Sequence, residues 1–61
     1  MSEAEKIAKA FHQSYEELAP KFQYQTRRAS AVPWEDVPDH NRNLMIAVAQ
    51  ELLDRGVITS G

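Results

Sequence analysis

Apolar residues at Ala4, Ile7, Ala8, Phe11, Tyr15 and Leu18 recur at steps of three or four, the period of one helix face. The spacing predicts a first helix over about Glu3 to Leu18. Ser2 and Glu5 have the S-x-x-E arrangement of a capping box, in which each side chain satisfies the other's backbone N–H. Glu3 and Glu5 also suit the positive end of the helix dipole. Pro20 closes this helix and pushes Ala19 out of helical geometry. A second periodic run, Leu44, Met45, Val48, Ala49 and Leu52, predicts a helix over about Pro38 to Arg55. Pro38 fits a first helical turn, where its missing N–H is not needed. Gly56 suits a left-handed cap that turns Val57 back toward Leu52. Ile46, Leu53 and Val57 lie off the stripe, so the apolar surface of this helix is wider than one helix of the same chain covers. Thr59-Ser60-Gly61 reads as a frayed tail.

Between the two helices runs a connection from Ala19 to Val37, long for a structureless loop in a compact domain. Phe22, Tyr24, Val32 and Trp34 carry too much apolar mass for disorder. The connection therefore reads as an ordered wrap with a short turn at Pro33-Trp34-Glu35-Asp36. Phe11 and Phe22 are expected in the core. Trp34, with Pro33 before it and two acids after it, is expected near the surface, where it touches a ligand. The fold class is all-α: one domain over residues 1–61, a two-helix hairpin with a long ordered connection.

Size changes the picture. A chain of 61 residues hides only about 60% of the surface it exposes when unfolded. Below roughly 70–80 residues, natural proteins usually add a disulfide, a metal or a partner subunit. There is no cysteine, and His12 and His40 lack the local spacing of a zinc site. No metal or other cofactor is expected. Completion by homo-oligomerisation, as a dimer or a multiple of two, is. A net charge of −2 argues against a general binder of nucleic acid or membrane surfaces. No apolar run approaches the roughly 20 residues of a membrane span, and the polar, acidic N-terminus is no secretory signal. The expected compartment is the cytoplasm.

Charge within the connection is segregated. Lys21, Arg27 and Arg28 fall in a stretch without acids, flanked by Glu16-Glu17 and by Glu35, Asp36 and Asp39. A local positive patch on a mildly acidic chain fits an anionic small molecule better than a polyanion. Tyr24-Gln25-Thr26-Arg27-Arg28 supplies hydroxyls, an amide and two guanidiniums, and guanidinium binds phosphate through parallel N–H bonds. The bland alternative pairs these arginines with Glu16, Glu17 or Asp36. Tyr15, Tyr24 and Trp34 are flat enough to sandwich a nucleobase, a contact worth roughly 1–3 kcal/mol per base; the bland alternative is core filling. His12 lies about one residue off the stripe, with Glu16 four residues on as a possible orienter, and a structural or ligand-bonding role fits it better than catalysis. Asn41, near the free N–H groups that open the second helix, either reads a base or ribose or caps the helix.

The order of these residues resembles the ryanodine-receptor-type repeat, or RyR domain, in the short free-standing form found in bacteria and their phages. The matching elements are Glu5-Lys6-Ile7-Ala8, His12, Tyr15, Pro33-Trp34-x-x-Val37-Pro38, Ala47, Leu52-Leu53 and Gly56. They span about Glu5 to Val57. The connection is shorter than in the animal receptors, and Gln23 stands where the pattern has a turn glycine. The resemblance implies a helix pair working in twos, here as a homodimer, and a link to adenine nucleotides through His12, Tyr15 and Trp34.

The resulting expectation is a non-enzymatic binder of a nucleotide or nucleotide-derived signal. Its site would comprise His12, Tyr15, Tyr24, Thr26, Arg27, Arg28, Trp34 and Asn41. Such a protein could act as a sponge in phage counter-defence, in the host cytoplasm if phage-encoded. The alternative is an interaction module or inhibitor that docks on a host protein through Trp34 and Arg27 or Arg28. An enzyme lacks a nucleophile–base–orienter set. A DNA reader is opposed by the second helix, where Arg42 and Arg55 face Asp39, Glu51 and Asp54.

Overall fold

In the computed structural model, which describes residues 2–59, the first helix, α1, spans Glu3–Leu18. Ser2 is extended, and its Oγ accepts the Glu5 N–H at 3.1 Å. The Ser2 half of the expected capping box thus starts the helix. Its end differs from expectation. Ala19 stays right-handed helical (φ −52°, ψ −46°) and donates its N–H to the Tyr15 carbonyl. Pro20 withdraws the next N–H from the α ladder, and the chain tightens into a 3₁₀ turn over Ala19–Phe22. Proline is tolerated there because a donor is not needed in a first turn.

That turn closes on Gln23, which is left-handed at φ 58°, ψ 34°. A side chain in this region costs about 1–2 kcal/mol relative to glycine. Gln23 therefore stands at a position whose backbone conformation suits glycine better. Gln23→Gly is expected to stabilise the fold by up to about 1 kcal/mol, after the extra freedom of glycine in the unfolded chain is subtracted. Thermal melting followed by circular dichroism should show a rise of about 4–8 °C per kcal/mol for a domain this small. A lower midpoint would count against the strained geometry.

A second 3₁₀ turn covers Trp34–Asp36, within the turn expected at residues 33–36. The second helix, α2, spans Asp39–Asp54, with Pro38 (φ −54°, ψ 142°) as the capping residue outside it rather than in its first turn. Asp39 pairs with Arg42 one turn on. At the far end Gly56 is left-handed (φ 72°). The Gly56 N–H donates to the Leu53 carbonyl at 3.1 Å, and the Val57 N–H to Leu52 at 3.0 Å. This is the Schellman pattern that Gly56 and Val57 predict. Of the expected tail, Ser60 and Gly61 lie outside the described residues. Those described form helices and turns with no strand, and none of the helices is long and apolar enough to cross a membrane.

The core is small and built unlike the expectation. Ala4 and Ala8 of α1, Ala49 of α2 and the indole of Trp34 form its buried centre, with Ile7, Met45, Ile46 and Leu53 packed around it. Alanines let the two helices approach, and one large ring fills the space left over, so volume is conserved with few voids. Trp34 is 3% exposed. It is a core residue and not the surface stacking platform expected of it. Phe11 and Phe22, expected inside, are 66% and 78% exposed. The inward ridge of α1 runs Ala4, Ala8, His12 at intervals of four, which turns Phe11, Tyr15 and Leu18 away from the core. On α2, Ile46 and Leu53 pack inward, whereas Leu44 and Val48 are exposed. The wide apolar surface read from the sequence is real, and only part of it is covered.

The connection is tied to α1 at several points. Lys9 Nζ meets Glu35 Oε1 at 3.3 Å. The Glu35 carboxyl is held below its ordinary value of 4.5, first by its own backbone N–H and then by the Lys9 ammonium. A lowered carboxyl stabilises the fold above its unfolded value, and that contribution disappears as pH falls through the folded value. The stability difference between the wild type and Glu35→Gln is therefore expected to begin shrinking as pH falls to about 4.5 and to disappear below the lower, folded value. Melting the two proteins side by side across the acid range checks this; a difference that persists at low pH would exclude the ion pair as its source.

Candidate ligand groove

His12 anchors the candidate site. Its ring is 3% exposed and lies 5.8 Å from the Trp34 ring, tilted by 56°. The Nε2 nitrogen is 2.7 Å from the Val32 carbonyl oxygen. A carbonyl only accepts, so Nε2 carries the proton and donates. The imidazole thus pins the far end of the connection to α1. One helical turn on, Glu16 Oε1 accepts the Thr26 hydroxyl at 2.8 Å and pins the near end. Glu16 does not orient His12, and neither Arg27 nor Arg28 pairs with it. Among the described residues both arginines are without an ion-pair partner.

Between these anchors the chain arches over residues 27–31, closed by bonds from the Ser30 and Ala31 N–H groups to the Arg27 carbonyl at 2.9 and 3.0 Å. Between α1, the connection and the start of α2 lies a groove of about 340 Å³, at the lower end of the size of small-molecule sites. Phe11, His12 and Tyr15 line it from α1, and Asn41, Leu44 and Met45 from α2; Tyr24, Thr26 and Arg27 line it from the connection. Phe11 and Tyr15 stack at 5.9 Å and 25°, and Tyr24 meets Tyr15 edge-on at 6.1 Å and 85°. The neighbouring Tyr24 hydroxyl, then partial burial and the Glu16 carboxylate, hold the Tyr15 phenol above its ordinary value of 10.0. It is a neutral hydroxyl at physiological pH.

Six of the expected residues meet in this groove: His12, Tyr15, Tyr24, Thr26, Arg27 and Asn41. The Thr26 proton is committed to Glu16, which leaves its oxygen as an acceptor only. Arg28 lies behind Tyr24, in a neighbouring cleft with Pro20, Gln25 and Ala31. Trp34 drops out, because its ring is core. Asn41 does not cap α2; the residue at the cap is Pro38, which makes no side-chain bond to that helix start. The residues missed from sequence are Phe11, Leu44 and Met45, taken as helix-stripe residues, and Ser30. Spacing offered a signal for two of them: Phe11 precedes Tyr15 by one turn, and Leu44 follows Asn41 by three residues. Nor do the described residues hold a cluster of three or more histidine or acidic groups able to grip a metal ion.

Compared with known proteins, the chain matches no family model, no curated protein and no solved structure. The groove must speak for itself. Its chemistry is a ring-lined apolar wall, one unpaired guanidinium, a carboxamide at a helix start and a single carboxylate already occupied by a hydroxyl. That set can hold a flat, partly apolar group and an anionic group a few ångströms apart.

Proposed function

We propose that the protein is a non-enzymatic, homo-oligomeric binder of a nucleotide or nucleotide-derived small molecule, held in the groove between the helices and the arch. The observation that carries this reading is the convergence of Tyr15, Tyr24, Arg27 and Asn41, from three separate segments, on one groove. The base lies against Tyr15 and Tyr24, in place of the stacking on Trp34 expected from sequence. Arg27 takes the phosphate, with Arg28 reaching the outer charges. Asn41 offers its amide to the ribose or a base edge. Binding without turnover fits His12, whose proton-bearing nitrogen is engaged by the Val32 carbonyl. Sequestration of a signalling nucleotide, in a host cytoplasm if the protein is phage-encoded, belongs to the same proposal and rests on small size and on the resemblance to RyR-type repeats. Calorimetric titration with adenine nucleotides, ADP-ribose and cyclic dinucleotides tests the reading. Heat from at least one of them is expected; none from any, with folded protein, overturns it.

The alternative, a module that docks on another protein, is favoured by one observation: Leu18, Phe22 and Tyr24 are large and exposed. Trp34 cannot be its hot spot, being buried. Blank titrations together with capture of a defined partner that fails in Arg28→Ala would select it.

A further inference from the structure

We infer that the groove selects guanine over the other bases, and that Glu16 makes the selection. The inference rests on the nucleotide reading above and names the base that reading leaves open. Two polar groups of the groove can only accept. Glu16 lines it from α1, and a carboxylate carries no donor. Its Oε1 accepts the Thr26 hydroxyl at 2.8 Å, and its Oε2 has no hydrogen-bond partner among the described residues. The Thr26 oxygen, its proton committed to Glu16, has lone pairs left and nothing to donate. Arg27, the next residue, lines the same groove and forms no ion pair with Glu16. Opposite charges thus share the groove without cancelling each other. A ligand that satisfies both brings hydrogen-bond donors to the one and an anion to the other.

The ring wall says which end of a nucleotide meets Glu16. Tyr15 precedes Glu16 on α1, and the carboxylate is close enough to help raise the Tyr15 phenol. Tyr24 meets Tyr15 edge-on at 6.1 Å. A base lying against these rings brings its hydrogen-bonding edge to the carboxylate while its phosphate reaches Arg27. Guanine alone among the common bases carries adjacent donors on that edge, a ring N–H beside an exocyclic amine. A carboxylate accepts both in parallel, as it accepts a guanidinium. Adenine and cytosine set one amine beside a ring nitrogen that only accepts, and uracil sets a single N–H between carbonyls. Each of these turns lone pairs toward the lone pairs of Glu16 and leaves a half-buried carboxylate short of partners.

Calorimetric titration of the full chain with the monophosphates of guanosine, inosine and adenosine tests this. Inosine keeps the ring N–H and lacks the amine, so affinity should fall in that order. Guanosine monophosphate should bind at least about tenfold tighter than adenosine monophosphate. Glu16→Gln keeps an oxygen for the Thr26 hydroxyl and replaces the other by an amide donor, so it should bring the guanosine and adenosine compounds to near-equal affinity. A purely structural Glu16 would instead weaken all of them alike and preserve the order. Equal or tighter binding of adenosine monophosphate by the wild type overturns the inference and leaves nucleotide binding standing. So does an undiminished guanosine preference in folded Glu16→Gln; should that variant unfold, the wild-type order decides alone. No heat from the monophosphates, where a ligand of the earlier titration gives heat, also overturns this inference by itself. Heat from neither set, with folded protein, removes the nucleotide reading as well.

Discussion

Trp34→Ala is expected to unfold the protein. The indole is the one large side chain at the centre of a core otherwise made of Ala4, Ala8 and Ala49, and it also packs beside the His12 ring. Removing a buried tryptophan side chain costs about 3–5 kcal/mol. A core in a chain of this size rarely supplies more than about 3–5 kcal/mol altogether. The two figures are equal, so no folded margin remains. Circular dichroism of Trp34→Ala should lack the helical signal of the wild type, while Trp34→Phe keeps part of it. Trp34 is the single tryptophan, so wild-type emission reports it alone and should be blue-shifted and resistant to acrylamide. Red-shifted, readily quenched emission from folded protein would put the indole at the surface and return it to the ligand.

Arg27→Ala is expected to leave the fold intact and weaken nucleotide binding. The arginine has no side-chain ion pair among the described residues, so the fold loses nothing of note with it. A charge-assisted hydrogen bond contributes about 1.5–3 kcal/mol, which corresponds to roughly a 10- to 150-fold rise in Kd. Arg28→Ala should have a smaller effect, because Arg28 sits behind Tyr24 in the neighbouring cleft. Titration of ADP-ribose into each variant, at two salt concentrations, gives the comparison. Equal affinities for wild type and Arg27→Ala would move the anion contact out of the groove.

The elements themselves were legible because their ends are written in local chemistry. Ser2 caps α1, Pro38 stands immediately before α2, and Gly56 accepts the left-handed turn. Which side of each helix faces inward was not legible, because the deciding quantity was not hydrophobicity. Phe11 and Phe22 outrank Ala4, Ala8 and Ala49 on any apolar scale. The alanines are nevertheless the buried ones, since close helix approach needs small residues and Trp34 already supplies the bulk. That choice depends on where Trp34, far from each of these alanines along the chain, places its ring, which no window along the chain reveals. The candidate site was more legible than the core. Tyr24, Thr26 and Arg27 fall within one four-residue stretch of the connection, so they reach the groove together. Asn41 and Tyr15 join them only through the helix pairing, and the role given to Trp34 failed for the same reason the core did.

The arch over residues 27–31 is moored at both feet to a single helix, by Thr26 to Glu16 and by Val32 to His12. Its length and side chains can vary while the moorings stay, much as an antibody loop varies on a constant frame. Related chains should therefore diverge most in these five positions, exchanging ligand preference without renegotiating how the rest of the molecule is held together.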